Sequence, residues 1–99
     1  MTFGDIPFWE SVGFSERLLA WMDLETPDSD LIATVIAWVD RQTRQDPYRG
    51  VQREADIASN LWWGRIPGTT REGSAVFCSY WIDEDLRQIR CDSVSTLSY

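Results

Sequence analysis

Histidine and lysine are both missing from this 99-residue chain. Without histidine there is no imidazole to serve as a base near neutral pH, to activate a serine or cysteine, or to ligate a metal. Without lysine, Schiff-base chemistry and the lysine of a phosphate-binding loop are excluded. All nine cationic side chains are therefore arginines. Cysteine is scarce: Cys78 and Cys91 stand alone, too few and too far apart for a zinc site. No apolar run reaches the length of a membrane span, and the opening MTFGDIPFWE lacks the basic and apolar regions of a signal peptide. A cytoplasmic protein is expected, one with no metal, no cofactor and no membrane partner.

What the chain does have is tryptophan, six residues of it, within an ordinary apolar share of 43% and charged share of 25%. Each of these large rings requires burial or a partner surface. The length suits one domain, residues 1–99, with a single hydrophobic core. Net charge is −7 and unevenly placed: residues 1–40 carry −7, residues 41–82 carry +2 and residues 83–99 carry −2. An acidic front of this kind argues against general nucleic-acid binding, which draws on broad positive potential, but leaves room for a local arginine site.

Punctuation and periodicity divide the chain. Residues 8–14, FWESVGF, predict a first strand. Ser15 then suits an N-cap for ERLLAWMDLE, which Thr26-Pro27-Asp28 stops. A second helix follows from Ser29 or Asp28, with Leu31, Ile32, Val35, Ile36 and Val39 on one stripe, and Asp46-Pro47 ends it. Residues 51–60 suit either a loop or a few helical turns. From Leu61 the period becomes two. LWWGRI, SAVFCSYWI and RQIRCDSVS read as three antiparallel strands, joined by a polar turn at TTREG and a tight one at Asp83-Glu84-Asp85. Three acids in so short a turn do not make a calcium loop and read as solvated.

A simple hairpin sets residue 82 opposite 87, 80 opposite 89 and 78 opposite 91. Val76, Cys78, Tyr80 and Ile82 then share an apolar face with Ile89 and Cys91, and Phe77 and Trp81 lie on the reverse. The cysteines become cross-strand neighbours, read as small buried thiols in preference to a redox switch. Apolarity places Trp62, Gly64 and Ile66 toward the helices, which turns Trp63 and Arg65 outward. The expected architecture is α+β, in the order β-α-α-β-β-β, with two N-terminal helices on one face of a small antiparallel sheet and the other face partly open.

A helix ending in Asp46-Pro47-Tyr48, a variable segment, the strand LWWGRI, a glycine-containing turn, and the hairpin SYWIDED followed by RQIR together resemble the RelE/ParE superfamily of small bacterial toxins. The likeness extends over nearly the whole chain, although no one of these motifs is diagnostic. It implies a metal-free growth inhibitor of a type II toxin–antitoxin system, held inactive by a cognate antitoxin. Its target would be the ribosome and its mRNA, which the RelE-like branch cleaves, or DNA gyrase, which the ParE-like branch poisons.

The resemblance matches Arg65 and Tyr99 to the family's catalytic positions, strand alternation adds Arg90 to these catalytic candidates, and the open face supplies Trp63, Phe77 and Trp81, with Arg71, as binding residues. A nuclease of this kind needs cations on the phosphate and help in moving the 2′-hydroxyl proton. Where the family's next strand starts with arginine, this chain reads Ser74-Ala75-Val76, so most of the catalytic cations are absent. That departure favours a protein-binding toxin over an endoribonuclease. A non-enzymatic acidic inhibitor or nucleic-acid mimic, using the acid-rich first forty residues against a host protein, is the alternative.

Overall fold

The structure, a computed structural model, describes residues 9–98. In chain order the elements are β1 (Glu10–Val12), α1 (Phe14–Glu25), α2 (Ser29–Arg44), β2 (Gln52–Arg53), β3 (Leu61–Arg65), β4 (Ser74–Asp83) and β5 (Gln88–Ser98). The fold is α+β, two helices and one five-stranded sheet of order β1-β5-β4-β3-β2. The sheet is mixed, not antiparallel throughout: β1 runs parallel to β5, with Glu10 opposite Gln88 and Val12 opposite Arg90. The added strand is β2, which pairs with Trp62 and Trp63 from within the segment whose conformation the sequence left open.

The first strand is shorter than residues 8–14 suggest, and Phe8 lies outside the described residues. The chain leaves the sheet edge at Gly13, where φ is +80°, a conformation that a side chain disfavours. Gly13, not Ser15, therefore occupies the N-cap of α1, and Phe14 becomes the first helical residue. The second helix follows the sequence more closely. Asp28 caps it, accepting from the Leu31 N–H at 2.8 Å.

Its buried stripe is Val35, Trp38, Val39, Gln42 and Thr43. Ile36, expected on that stripe, is 46% exposed, because the face centres on Trp38 and swings Ile36 to the side. Trp21 of α1 is fully buried, and its Nε1–H donates to Thr96 Oγ1 at 2.9 Å, tying that helix to β5.

One face of the sheet meets these helices. Val76, Cys78, Tyr80 and Ile82 of β4 and Ile89, Cys91 and Val94 of β5 join Phe14, Trp21, Val35, Trp38 and Val39 in a single core. The hairpin register differs from the simple one: Ile82 faces Ile89, Tyr80 faces Cys91 and Cys78 faces Val94, with a bulge between Ser79 and Tyr80. The turn is longer than three acids, so every pair moves along, and the bulge absorbs one extra residue of β5. The cysteines are consequently diagonal neighbours, both buried and both free thiols.

Buried polar groups are paired. The Tyr80 hydroxyl accepts from Gln42 Nε2 at 3.1 Å and donates to the Pro47 carbonyl. Gln42 Nε2 also donates to the Arg49 carbonyl, so one amide and one phenol hold the loop after α2 against the core. Gly64 faces the same loop, and a Cβ there would meet Val51 Cγ1 at 2.9 Å and the Gly50 carbonyl at 3.0 Å. Among the described residues no helix is long and apolar enough to cross a membrane.

Candidate functional site: the open face of the sheet

Strand alternation delivers a second set of side chains to the face the helices leave bare. On β3, Trp62 packs toward the core while Trp63 and Arg65 point the other way, as the apolar pattern predicts. Their cross-strand partners are Ser79 and Phe77, respectively. Trp81 stands between Leu61 on one side and Arg90 on the other. Trp63, Phe77, Trp81, Arg65 and Arg90 therefore share one face, with the rings half-buried and both guanidinium groups exposed.

The face has two parts. In the first, the rings of Trp63 and Phe77 lie diagonally across the β3–β4 pair, centroids 6.1 Å apart and tilted by 38°. Beside them a groove of about 430 Å³ runs over Ser79, Ser93, Ser95 and Leu97. The Ser79 hydroxyl lies 2.8 Å from Asp92 Oδ2 and 2.8 Å from Ser93 Oγ, so the groove floor is a small hydroxyl network. In the second part, Trp81 and Arg90 line a cleft of about 250 Å³ with Asn60, Asp83 and Gln88. Arg90 Nη2 donates to Gln88 Oε1 at 3.0 Å, and Gln88 Nε2 donates to Glu10 Oε1 at 3.1 Å. These contacts steady the Arg90 fork without neutralising it. Among the described residues the ion pairs are Arg44–Asp40 and Arg87–Glu84, and neither involves the open face.

Two residues named from the sequence do not join this site. Arg71 donates to the Gly68 and Thr70 carbonyls at 3.1 and 2.9 Å within its own turn and lines neither cleft. Tyr99 lies outside the described residues. The serine floor, in contrast, was not singled out from the sequence. Its signal was the period-two run SVSTLS, but the bulge decides that Ser93, not Asp92, stands opposite Ser79.

Groups with displaced titration lie elsewhere. A hydrogen bond with Cys91, together with burial, pushes the Cys78 thiol up. Burial raises Tyr80 against a smaller lowering by Gln42. Tyr48 is pushed up to about 12 by burial and by its hydroxyl's bond to the Glu84 carboxylate. That tyrosine belongs to a separate cluster, its ring edge-on to Trp62 at 5.0 Å and to Trp9 at 6.3 Å, with Arg87 lying 4.0 Å over the Trp9 ring.

No group of three or more His, Cys, Asp or Glu side chains suited to a metal ion occurs among the described residues. The open face offers stacking surface, hydroxyl donors and two cations, which is the chemistry of recognition. No protein-family model, curated protein or solved structure matches this chain.

Proposed function

We propose that this protein is a toxin-like growth inhibitor of the RelE/ParE kind, acting by binding through the open face of its sheet. Its target is a protein of the DNA gyrase type, and a cognate antitoxin covers the same face to silence it. The observation that supports this reading is the disposition of Trp63, Phe77 and Trp81 with the exposed Arg65 and Arg90 on the face opposite the helices. Aromatic and arginine side chains are the usual energetic anchors of protein interfaces. Messenger RNA cleavage in the ribosome fits less well, because Ser74-Ala75-Val76 supplies no cation to the phosphate and the chain carries −7 overall.

Induced expression in a bacterium without the neighbouring gene tests the proposal. Growth arrest is expected, and Trp63→Ala combined with Arg65→Glu should relieve it while the thermal midpoint stays within a few degrees of the parent. DNA supercoiling and bulk translation, followed after induction, separate the gyrase-type target from the ribosome. Full-level accumulation with undisturbed growth would remove the reading altogether.

A further inference from the structure

The structure assigns a second binding site, the cavity bounded by the C-terminal half of α2, the loop after it and Pro67, to a small organic carboxylate that also carries a hydroxyl or amino donor. This cavity lies on the helical side of the sheet and shares no residue with the two clefts of the open face.

Its volume is about 430 Å³, and Trp38, Arg41 and Gln42 of α2 line it together with Asp46, Arg49 and Pro67. The rim is open to solvent, since Arg41, Asp46, Arg49 and Pro67 are all exposed. The floor is built into the core, with Trp38 7% exposed and Gln42 5%.

Two polar atoms of that floor have no partner in the protein. Gln42 turns its Nε2 to three oxygens, the carbonyls of Pro47 and Arg49 and the hydroxyl of Tyr80. Those acceptors fix the orientation of the amide, and Oε1 receives no donor among the described residues. The Trp38 Nε1–H likewise finds no acceptor there, whereas that of Trp21 is bonded to Thr96. Among the described residues, no side-chain nitrogen or oxygen sealed from solvent lacks a hydrogen bond. Both atoms therefore reach the surface, and the cavity is the opening that both residues line. A donor and an acceptor left over at one floor mark where the polar atoms of a ligand belong.

Charge selects the ligand class. Arg44 pairs with Asp40 one turn before it at 2.7 Å, but Arg41 has Ala37 and Gln45 at the equivalent spacings. Neither Arg41 nor Arg49 enters an ion pair among the described residues. The Asp46 carboxylate accepts from the Tyr48 N–H at 3.1 Å within its own turn and offsets one of the two cations. One positive charge remains, which a carboxylate cancels and a phosphate dianion would exceed. A guanidinium fork suits the two oxygens of a carboxylate, the Trp38 N–H adds a donor, and Gln42 Oε1 answers a hydroxyl or ammonium on the same molecule. The indole and Pro67 give its apolar part a surface to rest on.

The test follows the Trp38 indole N–H by NMR in the whole protein, with mandelate, which joins a carboxylate, a hydroxyl and a ring, as the probe. A saturable shift is expected. Mandelamide, which lacks the charge, should bind roughly tenfold more weakly, and phenylacetate, which lacks the hydroxyl, about fivefold, the scales of a charge-assisted and a neutral hydrogen bond. Arg41→Gln and Arg49→Gln should each weaken mandelate about tenfold with the thermal midpoint unchanged. Arg65→Gln, on the open face, should leave its binding as it is. Absence of a saturable shift, equal binding of mandelate and mandelamide, or affinity that survives both arginine substitutions would overturn the proposal. So would shifts confined to the ring N–H groups of Trp63 and Trp81, which would move the ligand to the open face.

Discussion

Tyr80 joins three parts of the chain through one hydroxyl, with β4 supplying the ring, α2 the Gln42 donor and the following loop the Pro47 acceptor. Tyr80→Phe keeps the ring and strands the partners, so a loss of about 1–2 kcal/mol is expected in urea unfolding. An unchanged midpoint would show that the loop is held by other means. Gly64 works by close approach, since a Cβ would press on Val51 and the Gly50 carbonyl, one of them backbone. Gly64→Ala should cost about 1–3 kcal/mol by the same measurement.

Tyr48 carries a pH dependence. Its phenol titrates near 12 when folded against 10.0 ordinarily, so the folded state holds the proton more tightly. Its contribution is complete below pH 10 and is lost as pH rises toward 12, and Tyr48→Phe should reduce that alkaline decline.

At the scale of elements, α2 begins on a side-chain cap and α1 on a glycine. Asp28→Ala removes the acceptor of the Leu31 N–H and should lower stability by about 1 kcal/mol in thermal melts followed by circular dichroism. The β4–β5 hairpin encloses both thiols beneath the helices, and the Cys78 thiol is raised by its neighbour and by burial. Thiolate is the reactive form, so a disulfide reagent should modify both cysteines slowly in the native protein and rapidly once it is unfolded. Fast native labelling would place the thiols nearer solvent than the packing does.

Across the whole molecule, the two sides of the sheet divide the work. One side is closed by Trp21, Val35, Trp38 and Val39, and the other presents rings and guanidinium groups. The acids concentrate in the first forty residues, and because Arg41 and Arg44 offset the acids of α2, self-repulsion falls largely on α1 and the turn that leads into α2. Adding salt from low to physiological strength should raise the thermal midpoint by a few degrees, the equivalent of roughly 0.5 kcal/mol. A midpoint insensitive to salt would mean that the acids are too dispersed to repel one another.

Two kinds of information built this molecule. Local rules were legible in the residues themselves: the Asp28 cap, the break at Asp46-Pro47, and the period of two that sends Trp63, Arg65, Phe77 and Trp81 to one face. They were legible because capping, proline geometry and strand alternation act over a few neighbouring residues. Tertiary structure decided the rest: β1 parallel to the far end of the chain, the bulge that sets Ser93 opposite Ser79, and Trp38 and Gln42 buried in place of Ile36. Those outcomes depend on which distant surfaces meet and on polar groups that must find partners once buried, and no local period encodes either.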